Sequence, residues 1–245
     1  MNHFRLLALT VLTILTAGCA GSTPKTNPFT VSKQDIRNRV KTVAVATVRI
    51  DDDIPNATQA KQDFGGLIAN ELISLGFQVV PAAEFEQVFN RLRDEVGGFF
   101  DPNTGKADNE KYKRVQELCR REMATKFHAD AILYPSITVR MIPFSQDSAS
   151  WDGVRESVTG AGWLEQYFGG THYGTVPALI FCAGLYDVDN NKMYSKCGGL
   201  QLLSKIRGGG FSKVPDQNVL TDTQRNTNAV GIVFRPLHDE EPPQH

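Results

Sequence analysis

Short runs of alternating β-branched and small residues open the folded part of the chain, apolar stripes at helical spacing follow, and long strand-like runs close it. Residues 40–50 (VKTVAVATVRI) alternate in the first way and predict a strand. In residues 57–75, Ala60, Phe64, Leu67, Ile68, Leu72 and Leu75 recur every three or four positions, so one helical face is apolar, and Gly76 ends the helix. Residues 77–80 predict a short strand closed by Pro81, and Phe85, Val88, Phe89 and Leu92 mark a second amphipathic helix. A third helix, over residues 109–127, carries Tyr112, Val115, Cys119, Met123 and Phe127 as its stripe, with Asp108 as its cap. Residues 130–142 then predict a strand, and residues 178–188 with 192–203 predict a hairpin turning at Asp189-Asn190-Asn191. Thr221-Asp222-Thr223-Gln224 has capping-box form and predicts a last helix reaching Val230 and Phe234. This order predicts a single α/β domain, a mixed β-sheet with flanking helices.

The first eighteen residues follow a different pattern. Arg5 is their only formal charge, residues 6–15 (LLALTVLTIL) form an apolar run too short to span a bilayer, and Thr16-Ala17-Gly18 bring small residues up to Cys19. This arrangement resembles the lipobox of bacterial lipoproteins. The resemblance implies a signal peptide over 1–18, cleavage before Cys19, and a diacylglyceryl thioether with palmitate-type acylation on Cys19. Ala20 follows, where the family's sorting rule uses Asp for inner-membrane retention, so the resemblance implies the outer membrane, with the domain on its periplasmic face. Loss of Arg5 takes the formal charge from -1 to -2, so lipid and not electrostatics holds the chain at the membrane. The expected layout is a lipid-anchored tether over 19–35, the α/β domain over 36–238, and a polar, loose tail over 239–245.

The KTVAV strand, the helix ending in ELISLGFQVV, the helix before HADAILYPSI and the hairpin ALIFCAGLYDVDNNKMYS together resemble one superfamily of periplasmic domains. It contains the CsgG-like curli-export lipoproteins, the amino-terminal domain of TolB, and the LpoB-type activators of penicillin-binding proteins. The resemblance covers about residues 40–203 and rests on element order. Pro81 departs from its pattern, and residues 97–108 and 144–176 are additions to it.

Composition and motifs exclude more than they assign. With 26 Lys plus Arg against 27 Asp plus Glu, no global field favours nucleic acid. Residues 98–106 (GFFDPNTGK) lack phosphate-loop spacing, and Ala107 stands where a magnesium-binding hydroxyl is needed. Asp51-Asp52-Asp53 reads as a solvated loop, and Asp187 to Asn191 as a hairpin turn, since Lys192 and Gly198 break the calcium-loop pattern. His3, His128, His172, His238 and His245 have no metal spacing, and no GxSxG surrounds any serine. The reading is therefore non-enzymatic, with no cofactor and no metal. A two-residue turn at Asp189-Asn190 sets Cys182 opposite Cys197 as a candidate disulfide, although a shift of one or two residues separates them, and a strict two-residue hairpin puts them at a hydrogen-bonded site. Cys119 reads as a buried thiol.

Residues 144–176 hold Trp151, Trp163, Tyr167, Phe168 and Tyr173 among many Gly and Ser residues. They are the candidate partner contacts; the alternative is a loop whose aromatics pack back on their own domain. Asp152 and Glu156 on one strand face and Arg155 on the other make a lipid-facing hairpin incompatible there. The leading expectation is thus an interaction module for an unknown envelope protein, its oligomeric state open. An oligomeric secretion or channel component of the CsgG-like type is the alternative, and a hydrolase with dispersed residues comes third.

Overall fold

The computed structural model describes residues 27–238 except 52, 102–103, 160–172 and 208–209. Helix α1 (Lys33–Arg39) precedes β1 (Thr42–Val45) and β2 (Arg49–Ile50), followed by α2 (Ala57–Ser74), β3 (Gln78–Val80), α3 (Ala82–Glu95) and α4 (Asn109–Lys126). Two fifteen-residue strands, β4 (Ala131–Ser145) and β7 (Tyr173–Asp187), enclose the small hairpin β5 (Ser148–Trp151) and β6 (Val154–Ser157). After them come β8 (Lys192–Leu202), the hairpin β9 (Ser204–Arg207) and β10 (Gly210–Lys213), and helix α5 (Thr223–Phe234). No described helix is long and apolar enough to cross a membrane.

The domain is α/β with a mixed sheet. β3, β1 and β4 are mutually parallel, while β7 runs antiparallel along all of β4 and β8 antiparallel to β7. One face buries Val43, Val45, Leu133, Phe181 and Leu185 under α1, α2 and α5, through Ile36, Phe64, Ile68, Val230 and Val233. The opposite face is shared. α3 and α4 cover Ala44 and Ile132, and β5 and β6 cover Val176, Ala178 and Ile180.

Several boundaries differ from the expectation for physical reasons. The strand over 40–50 is two strands, because Val45 pairs with Leu133 and Arg49 with Ser136, leaving one extra residue opposite Pro135, which has no N–H to offer. Residues 28–35, expected within the tether, belong to the fold: Thr30 N–H donates to Met193 O at 3.0 Å and Ser195 N–H to Pro28 O at 2.8 Å, and α1 begins at Lys33. The last helix is capped by Asp222, which accepts from Arg225 N–H at 3.1 Å, whereas the Thr221 hydroxyl donates to Gln217 O. Asp108 caps α4 by accepting from Lys111 N–H at 3.0 Å.

The β7–β8 turn is also not the two-residue loop. Asp187 N–H donates to Asn191 O and Asn190 takes a φ of 70°, a three-residue loop. Met193 then bulges between the Tyr186–Lys192 and Leu185–Tyr194 pairs. The longer loop and the bulge cancel, so Cys182 still faces Cys197.

Candidate interaction surface

The outer half of the β4–β7 ribbon is where the two faces part company. On the helix side, packing from α1, α2 and α5 ends near Ile137 and Leu179. Beyond it, Val139 is 40% exposed, Met141 56% and Tyr173 82%. Alternation puts Val139, Met141, Pro143 and Ser145 of β4 on this side, with Tyr173, Thr175 and Pro177 of β7 paired across from positions 145, 143 and 141. None of these seven side chains is charged. Contiguous exposed apolar surface is the kind that protein contacts use, and Val139 and Met141 lie side by side on this strip.

The reverse side of the same ribbon is closed. Ile142, Phe144, Val176, Ala178 and Leu202 are buried beneath β5 and β6, with Trp151 7% exposed and its Nε1–H directed at Leu179 O at 3.4 Å. Trp151 is therefore a core residue and not a surface contact, because β5 peels from the β4 edge and crosses the sheet until Asp152 O accepts from Gly199 N–H at 3.0 Å. Tyr173, by contrast, stands in solvent at the ribbon's end. Trp163, Tyr167 and Phe168 lie outside the described residues, as does Cys19. Val139 and Met141 were not singled out by sequence reasoning, since a strand outrunning its covering helices leaves no mark in its own alternation. Phe211, 61% exposed on β10 and set edge-on to Phe144 at 6.3 Å, adds an aromatic near the same end.

This surface lies far from where the chain enters the domain. Pro28 and Thr30 bond to β8 around Tyr194, which pairs with Leu185 and through it aligns with Leu133. Positions 139–145 follow six to twelve residues along β4, or about 20–40 Å at ~3.3 Å per residue.

Other candidate groups serve the fold. Cys182 and Cys197 form a disulfide, with Sγ atoms 2.00 Å and Cα atoms 4.0 Å apart; the latter fits the close, non-hydrogen-bonded class of antiparallel pair and not the wide one. A cleft of about 290 Å³ beside β6, β8 and α5 contains Glu156, whose Oε1 meets Lys205 Nζ at 3.1 Å and whose Oε2 meets Arg225 Nη1 at 3.1 Å and Leu202 N–H at 3.0 Å. Arg225 also pairs with Asp222 at 3.2 Å. Two carboxylates and two cations thus answer one another, fastening β6 to β8, β9 and α5. Asp187 accepts from Asn191 N–H and Nδ2–H at 2.7 and 3.0 Å, which builds the turn.

Cys119 is fully buried on α4, and desolvation pushes its thiol from 9.0 up to about 12, with Glu122 adding to the rise. The native thiol should therefore resist iodoacetamide at pH 8.5 and react on unfolding in urea, followed by mass spectrometry; rapid native alkylation would contradict this. Because the folded form retains this proton longer than the unfolded one, the contribution to stability is complete below about pH 9 and declines as pH rises towards about 12.

No family model matches the chain, and no curated protein matches it. Among solved structures, a PelC dodecamer from Paraburkholderia phytofirmans is similar at 14% identity and a TM-score of 0.35, covering 82% of this chain and 91% of that one. A point variant of the same protein gives 12% identity and a TM-score of 0.34, covering 82% and 90%. A likeness of this size carries neither fold nor function from one chain to the other.

Proposed function

We propose that this chain is a lipid-anchored envelope protein, attached through Cys19 to the periplasmic face of the outer membrane, whose α/β domain is a non-enzymatic interaction module. The observation that supports this reading most is the uncharged strip of Val139, Met141 and Tyr173, exposed at the ribbon end remote from the entry of the chain. A tether entering near Tyr194 leaves that strip free to face away from the lipid, towards a second envelope component. The charges lining the polar cleft are paired with one another, Glu156 with Lys205 and Arg225, and the Cys119 thiol is buried, which fits a structural use of both.

Incorporation of a photo-crosslinking phenylalanine at position 173 tests the reading in living cells, with position 192 on the tether side as control. A discrete adduct from 173 and none from 192 is expected, together with membrane fractionation that Cys19→Ser abolishes. Equal adducts from both positions, or no adduct from 173, would overturn the module reading. Unchanged fractionation of the Cys19→Ser chain would overturn the anchor.

A further inference from the structure

β4 carries a length of unpaired strand edge. On one side, β1 pairs with residues 131–133 and β2 with 136–137, and β5 joins the same side only at Phe144 and Ser145. Among the described residues nothing pairs with 138–143 there. The side can be assigned, because Leu133 O accepts from Ala46 N–H of the β1 side and the β4–β7 register runs without a bulge to Ser145. Odd-numbered residues of β4 therefore direct their N–H and C=O groups to this edge. Among the described residues, the open groups are the N–H and C=O of Val139 and of Met141. Pro143 has no N–H with which to continue the β5 ladder, and the inward turn of Trp151 carries β5 away.

The gap has a chemical character. Six residues span about 20 Å, room for a strand of ~5 residues. Val139 and Met141 also present exposed side chains on its helix-side face. At its β2 end, directly after the Ile50–Ile137 pair, the chain turns off through Ile54 N–H to Asp51 O at 3.0 Å, and Asp51 and Asp53 of this turn are exposed. We propose that this gap takes up an extended peptide segment of a partner protein as an added strand. Apolar side chains of the segment would lie beside Val139 and Met141, with a basic residue towards Asp51 and Asp53. The proposal rests on the interaction-module reading and adds to it the mode of recognition.

The test titrates the full chain in detergent with a fluorescent peptide, Lys-Thr-Val-Thr-Val-Lys, and with the same peptide N-methylated at alternate amides. Saturable binding of the first is expected, with slowed hydrogen exchange at the Val139 and Met141 amides. N-methylation, and separately Met141→Pro, should weaken it at least about tenfold, the size of one or two lost hydrogen bonds. Met141→Pro deletes an N–H aimed away from β7, and should Met141→Pro fail to fold, Val139→Lys and the methylated peptide still decide the matter. Equal affinity of the two peptides, no binding up to millimolar peptide, or self-association of the free chain that Met141→Pro abolishes would each overturn the proposal. A crosslink from position 173 in cells alongside absent peptide binding would discard strand addition while leaving the module reading intact.

Discussion

Gly198→Ala should lower the unfolding free energy by about 3 kcal/mol, at the upper end of the range for overpacked sites. A Cβ built at Gly198 comes within 2.5 Å of Ala229 O and 3.3 Å of Ile232 Cβ. The first of these is a backbone carbonyl in the middle of α5, so no rotamer change relieves the clash, and the helix must move off the sheet. α5 supplies Ala229, Val230, Val233 and Phe234 to the main core, and its withdrawal would loosen all four at once. The neighbouring Gly199 faces the other way, where a Cβ would collide with Val154 Cγ2 and stand 2.9 Å from Trp151 O. Two successive glycines thus set the thickness of the domain on both faces of β8. Urea unfolding followed by far-ultraviolet circular dichroism measures the loss. Gly65→Ala in α2, where nothing lies within 4 Å, is the control and should stabilise by ~0.5–1 kcal/mol. Similar midpoints for Gly198→Ala and the unmodified chain would refute the close approach.

How much of this was legible beforehand follows from the range over which each feature is determined. The stripe of Ala60, Phe64, Ile68 and Leu72 is set by local periodicity, and α2 forms where it predicts. Asp108 caps α4 through the adjacent turn, equally local. Turn details were less accessible: Asn190 tolerates the left-handed backbone, which permits a three-residue loop, and only pairing with β7 reveals the Met193 bulge that restores the register of Cys182 and Cys197. Likewise Pro135 disrupts pairing on a strand almost ninety positions away from the one in which it is noticed. The candidate surface was least legible of all. Its apolar residues alternate like those of the core, and whether Val139 or Ile137 is covered depends on where α2 and α5 end over the sheet. For Trp151 the second of the two readings holds, packing onto its own domain, for the complementary reason: a tryptophan among Gly, Ser and Asp residues has the composition of a surface, yet it lies in one buried cluster with Ile180 and Leu202, against the bare backbone of Gly199.

That pocket leads to the largest expected effect, a loss of ~3–5 kcal/mol for Trp151→Ala. The substitution removes the main apolar side chain by which β5 is held over β7, and with it the Nε1–H bond to Leu179 O. Pro143 prevents β5 from compensating by pairing further along β4. The consequence should be regional before it is global: amides of residues 148–157 and the Gly199 N–H should lose protection from hydrogen exchange, while those of β1 and α2, in a separate part of the core, keep theirs. Trp151→Phe retains a ring and forfeits the long Nε1–H bond, so about 1 kcal/mol is expected. Tyr173→Ala, at the exposed end of the same ribbon, should change stability by no more than ~0.5 kcal/mol. These three variants separate packing from contact. If Trp151→Ala unfolded at the same urea concentration as the unmodified chain yet abolished the crosslink from position 173, Trp151 would belong to the binding surface after all. If instead it lowers the unfolding midpoint and exposes β5 and β6 to exchange, packing beneath the hairpin is the role of Trp151, and the hairpin is what closes one face of the ribbon.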